Sequence, residues 1–198
     1  MIKTVAEKKL KPQLNRLGRA LARLPLTANA WTVCGLLCGL GSGFAIAGRA
    51  FWPAAALLAM VLVCDTADGL VARASGRASP FGGLLDVASD KYVEGAIFVG
   101  AGCIAPPLLG IPGVVWAALG LWGSIIVSLV SNVGIARLGR PAFKLADRTV
   151  RGVIGIVVLL LVPLAGEVAI TAGMVAIGAL SHATVALMLL DYSRGPAP

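Results

Sequence analysis

The stretch VCDTADGLVARASGRASPFGGLLDVASDKYVEG, Val63 to Gly95, sets five carboxylates and three basic residues inside a chain that is otherwise apolar. Asp65 and Asp68 stand three apart and Asp86 and Asp90 four apart, spacings that put each pair on one face of a helix. Two helices joined by a turn around residues 75–80 would bring the four acids together across a hairpin. Ionised groups are costly in apolar surroundings, so the rest of the chain decides what the hairpin is embedded in.

Of 198 residues, 58% are hydrophobic and 13% charged, and the mean hydropathy is +0.91. This is the composition of an all-α integral membrane protein. Long apolar runs at about 28–48, 51–74, 81–104, 112–136, 150–166 and 168–190, broken by Pro, Gly or charge, predict six membrane-spanning helices in one domain, residues 27–192, with a short tail at 193–198.

Upstream, residues 1–26 are basic and lack the uninterrupted apolar core and cleavage site of a signal peptide. Leu14, Leu17, Leu21 and Leu24 recur at helical spacing, with Arg16, Arg19 and Arg23 on other faces. The pattern predicts an amphipathic helix lying on an anionic membrane surface.

In a six-span chain the basic residues from Lys3 to Arg23, Arg73, Arg77, those from Arg137 to Arg151, and Arg194 fall on one side, against only Arg49 and Glu167 on the other. The positive-inside rule then puts both termini and the acidic hairpin's turn in the cytoplasm, with Trp31 and Tyr192 near the inner ends of spans and Trp52 and Trp116 near the outer ends. The same asymmetry accounts for the net charge of +8 without nucleic acid, since no aromatic platform or recognition motif accompanies it. Cys34, Cys38, Cys64 and Cys103 all fall in apolar segments and read as small packing residues.

Four carboxylates facing one another would repel unless compensated, and hard divalent cations such as Mg²⁺ take oxygen ligands and share them with substrate phosphates. Arg73 and Arg77 nearby suit a phosphate-bearing ligand. Gly69, Gly82 and Gly83 remove side chains where a substrate would approach the backbone. The alternative is a structural ion-pair network, or helix-end charges reaching the interface.

The string Asp65-xx-Asp68-Gly69-xx-Ala72-Arg73, eight further residues, then Gly82-xxx-Asp86-xxx-Asp90 resembles the complete signature of the CDP-alcohol phosphotransferases, membrane enzymes of phospholipid synthesis. That resemblance implies two Mg²⁺ or Mn²⁺ ions held by Asp65, Asp68, Asp86 and Asp90, with Asp90 also the general base. It implies a CDP pocket formed by Asp68, Gly69, Ala72, Arg73, Ser79 and Gly82. It further implies a homodimer and a reaction that moves a substituted phosphate, phosphatidyl or archaetidyl, from a CDP-linked lipid to a small polar alcohol, releasing CMP.

The segment SLVSNVGIARLGRPAFKLADRTVRG, Ser128 to Gly152, is strongly basic and belongs to the same side as the acids. It serves topology, or it holds an anionic acceptor through Arg137, Arg148 and Arg151. The layout is similar to the branch that uses inositol phosphate, with Arg148 and Arg151 matching its later Arg-rich motif. Ser131 and Val133 stand where that branch has a basic pair, so inositol 1-phosphate and glycerol 3-phosphate both stay open, as do a small CDP-alcohol donor and an uncharged acceptor. Lys91 reads equally as a phosphate contact or an ion-pair partner of Glu94 or Asp86. His182 reads as an interhelical hydrogen-bond partner, and Asn29 and Thr32 as caps of the first span or, from its inner end, as contacts to the nucleotide. An intramembrane prenyltransferase would need a second acidic motif that the later spans lack, and a cation transporter a charged path through the outer half, which is almost uncharged.

Overall fold

The computed structural model describes residues 26–76 and 79–194, together with Gly18, Ala20 and Leu21. Six helices run through it: α1 Ala28–Ala47, α2 Phe51–Ser75, α3 Pro80–Ile104, α4 Gly113–Leu138, α5 Arg148–Ala165 and α6 Val168–Ser193. At 1.5 Å per residue, even the 18 residues of α5 span roughly 27 Å, close to the hydrocarbon thickness of a bilayer.

Local chemistry sets the ends. Thr27, rather than Asn29 or Thr32, caps α1, accepting from the Ala30 amide at 3.2 Å. Gly76 stops α2 at a φ of +64°, in the left-handed region where a side chain would be strained. Ser79 then caps α3, accepting from Gly82 N at 3.0 Å, and Pro80 sits at the first helical position, where its missing N–H costs nothing. Asp147 caps α5 through the Val150 amide at 2.9 Å.

Five helices are long and apolar enough to cross a membrane. The exception is α3, which has the length, 25 residues, but carries Asp86, Asp90, Lys91 and Glu94. Its charged part is its first half, next to the α2–α3 turn, and its second half, from Gly95 to Ile104, is apolar.

Consecutive helices run antiparallel, so the end of α2, the start of α3, the end of α4 and the start of α5 meet at one end of the bundle. Along the bundle α1 packs on α2 and α3, α4 on α3 and α6, and α5 on α2 and α6. Missing side chains bring α1 and α3 together: a Cβ on Gly43 would lie 2.4 Å from the Ala96 carbonyl oxygen, and one on Gly100 2.2 Å from that of Gly43. Such close approach suits helices in lipid, where backbone packing replaces the hydrophobic effect. Ile46, Leu58, Val61, Val93, Phe98, Leu159 and Met174 form the buried core between the charged end and the opposite end.

At that opposite end Arg49 and Glu167, the lone charges expected there, pair with each other. The amphipathic helix expected over 1–26 lies outside the described residues except for Gly18, Ala20 and Leu21. These three are helical, and Gly18 is buried where a Cβ would meet the Leu70 carbonyl at 3.1 Å. Arg77 also lies outside the described residues.

Candidate metal and substrate site

Asp65 and Asp68 project from one face of α2 toward Asp86 of α3, and one oxygen from each of the three lies within 4.8 Å of the others. All three are half-buried. A donor set of three hard carboxylate oxygens, partly screened from water, fits Mg²⁺ or Mn²⁺ and leaves room for water and phosphate ligands. Asp90, one turn along α3, stands outside this group and joins it through Arg148, whose guanidinium contacts both Asp65 and Asp90. A single cation from α5 thus bridges the two acidic helices.

Thr32 of α1 supplies a contact that sequence spacing does not reveal. Its hydroxyl donates to Asp68 Oδ2 at 2.8 Å while the side chain is 7% exposed. Such a bond fixes which way the carboxylate faces, as donors behind metal ligands commonly do.

Two clefts, of about 210 Å³ and about 230 Å³, flank the acids. Asp86 lines both. The first takes in Asp68, Gly69, Ala72, Ser79 and Gly82, and adds Asn29, Thr32 and Gly83. Arg73 is exposed at its rim, its Nη1 3.2 Å from where a Cβ on Gly69 would sit. A Cβ on Gly82 would stand 3.0 Å from Asn29 Oδ1 and 3.2 Å from Ser79 Oγ, whereas one on Gly83 would meet nothing within 4 Å. The backbone approach therefore matters at Gly82 and not at Gly83.

The second cleft lies between α3, α4 and α5. Lys91, Lys144, Arg148 and Arg151 line it, against Asp86, Asp90 and Asp147, with Ser128, Ser131 and Asn132 along the α4 wall. Of the arginines singled out from sequence, Arg148 and Arg151 are here, while Arg137 is exposed and off the lining. At 100° per residue Arg137 is turned about 180° from Ser128 and about 240° from Ser131, away from the cleft. The buried hydroxyl of Ser131 has no hydrogen-bond partner and borders the cleft, where it is free to meet a polar ligand.

Arg140 turns instead to α6, donating to Asp191 Oδ2 at 3.0 Å and to the Asp191 carbonyl at 2.7 Å. Lys91 resolves toward Glu94, with Ser128 Oγ at 2.9 Å as its second partner. His182 meets the Leu119 carbonyl across the α4–α6 interface at 3.3 Å, the interhelical role expected of it.

Residues 25–185 match the CDP-alcohol phosphatidyltransferase family. The archaetidylinositol phosphate synthase of Pyrococcus horikoshii is 36% identical over 92 residues, 46% of this chain and 49% of that protein. The chain spans about half the length of these curated relatives, the phosphatidylinositol phosphate synthase of Mycobacteroides abscessus among them. The crystal structure of Mycobacterium tuberculosis phosphatidylinositol phosphate synthase with CDP-DAG bound has the same fold, with a TM-score of 0.75 at 23% identity, covering 93% of this chain and 95% of that one. The same enzyme in complex with manganese and citrate aligns with a TM-score of 0.77 at 22% identity, covering 93% and 90%.

Proposed function

The chain belongs to the CDP-alcohol phosphatidyltransferase family, and we propose that it transfers a substituted phosphate from a CDP-linked lipid to the hydroxyl of a small phosphorylated polyol, releasing CMP. The observation that carries this reading is the placement of Asp86 on the walls of two clefts, one glycine-lined and one cation-lined, with the three-carboxylate group between them.

The first cleft receives the cytidine diphosphate end of the donor. Gly69 and Gly82 admit it close to the backbone, and Asn29 and Ser79 offer hydrogen bonds to its polar edges. Asp65, Asp68 and Asp86 would hold divalent cations, with Asp90 beside them. Such cations supply charge neutralisation for the diphosphate and the departing CMP. Arg148 offsets the repulsion between the Asp65 and Asp90 carboxylates and draws them toward one another.

The second cleft receives the acceptor, its phosphate among Lys91, Lys144, Arg148 and Arg151 and its hydroxyl beside Asp90. A carboxylate oxygen of Asp90 takes the hydroxyl proton as the acceptor oxygen bonds to the phosphorus that carries the lipid group. The bond from that phosphorus to the bridging oxygen breaks, and CMP leaves with the oxygen. Inositol 1-phosphate and glycerol 3-phosphate both meet these demands. Ser128, Ser131 and Asn132, none of them charged, suit an uncharged polyol end on the α4 side, and Val133 lies off the cleft lining.

We place the clefts on the cytoplasmic face, with the basic loops, and the protein as a homodimer in the cell membrane. The test of the reaction is CMP release by the protein in bilayers, given CDP-diacylglycerol or CDP-archaeol with inositol 1-phosphate, glycerol 3-phosphate, serine, inositol or water. Release should need a divalent metal, a phosphorylated acceptor and Asp90, and should fall away in Asp90→Asn. Equal release with water alone or with Asp90→Asn would overturn the reading.

A further inference from the structure

Glu94 lines neither cleft, yet both of its carboxylate oxygens are spent on residues that line the second. Lys91 donates to Oε2 and Arg151 Nη2 donates to Oε1 at 2.9 Å, with the Glu94 side chain 11% exposed and that of Arg151 7%. Each cation has one further tie. Lys91 reaches Ser128 Oγ on α4 at 2.9 Å, and Arg151 Nη1 reaches the Ala146 carbonyl before α5 at 3.0 Å. Glu94 thus ties α3 to α5 through Arg151, and the Lys91 it holds ties α3 to α4 through Ser128.

The alternatives open to these cations explain why this matters. The cleft also presents Asp86, Asp90 and Asp147. A lysine on a flexible four-carbon stem in this low-dielectric space would settle on one of those acids, cancelling charge needed for an acceptor and burdening the base. Glu94 stands one turn beyond Asp90, on the same face of α3, and draws Lys91 the other way.

We propose that Glu94 is a positioning residue for acceptor selection: it holds Lys91 and Arg151 on the cleft wall as a paired anion receptor, so that the site takes a phosphate monoester and discriminates against the unphosphorylated polyol. The inference rests on the reading of the second cleft as the acceptor site. It predicts that Glu94→Gln raises the KM for the phosphorylated acceptor about tenfold or more, the loss expected when one hydrogen bond between charged groups is removed. The KM for the CDP-lipid stays unchanged and kcat moves by less.

Losing the partner of a buried arginine also threatens folding, so Glu94→Asp carries the test alongside. Aspartate keeps the charge but, one methylene shorter, cannot reach both cations. It should melt near wild type while its acceptor KM stays raised. Inorganic phosphate titrated into the full chain in nanodiscs and followed by ³¹P NMR gives a readout free of turnover, and its Kd should rise in both variants. A Glu94→Asp protein with wild-type acceptor KM and wild-type phosphate affinity would overturn the inference alone. A wild-type protein that binds no phosphate would overturn the anion-cleft reading and the inference with it.

Discussion

Replacing Thr32 with valine removes one oxygen from the site and almost no volume. The hydroxyl lost is the donor to Asp68 Oδ2 at 2.8 Å, and at 7% exposure no water readily replaces it. α1 itself should persist, because the alternative acceptor of that single hydroxyl proton, the Ala28 carbonyl at 3.2 Å, already accepts from the helix backbone. A hydrogen bond to a charged group contributes about 1.5–3 kcal/mol. At 1.36 kcal/mol per decade that is about 10- to 150-fold. The loss should fall first on metal affinity, since the bond orients a metal-facing carboxylate, and saturating donor offsets any effect of Thr32 on the first cleft, which it also lines. The assay is the Mg²⁺ dependence of CMP release at saturating donor and acceptor. Thr32→Val should shift half-activation upward by about that factor and recover most of its rate at high Mg²⁺, while Thr32→Ser stays near wild type. A folded Thr32→Val with an unchanged Mg²⁺ curve, or a loss that no Mg²⁺ concentration restores, would refute the reasoning.

Other outcomes follow from the same contacts. Gly82→Ala should weaken CDP binding, since its Cβ intrudes between Asn29 and Ser79, while Gly83→Ala should bind CDP like wild type; isothermal titration with CDP separates them. Gly43→Ala forces a Cβ against the Ala96 carbonyl, so the protein should melt at a clearly lower temperature in detergent even though no site residue changes. Arg49→Ala breaks an exposed ion pair at the end of the bundle away from the acids and should leave both CMP release and the melting temperature nearly unchanged. Chelation with EDTA should stop CMP release, and added Mg²⁺ or Mn²⁺ should restart it.

The helices were legible because long apolar runs end at residues with one local meaning: Gly76 in the left-handed region, Pro80 behind a serine cap, Gly139 after α4. Of the four acids expected together, Asp65, Asp68 and Asp86 do meet, through i, i+3 spacing on α2 and a short turn to α3, while Asp90 stands one turn off and joins them through Arg148. Contacts made across the sequence were not legible. Thr32 meets Asp68 from 36 positions away, and Arg148 meets Asp65 from 83, so no local pattern announces either bond. Arg137 looked suitable by charge and proximity, but helical phase turns it off the cleft wall that Ser128 and Ser131 form. Charge is visible in a sequence, whereas which face of a helix is walled by a partner depends on packing.

The central claim, that Asp65, Asp68 and Asp86 form a divalent cation site between two clefts, is tested most directly by Mn²⁺ binding measured by electron paramagnetic resonance on the protein in bilayers. The account predicts that wild type binds Mn²⁺, that added CDP perturbs the bound signal, and that Asp68→Asn and Asp86→Asn each abolish or greatly weaken binding while the helical content stays intact. Mn²⁺ bound equally well by wild type and by both folded variants would contradict it.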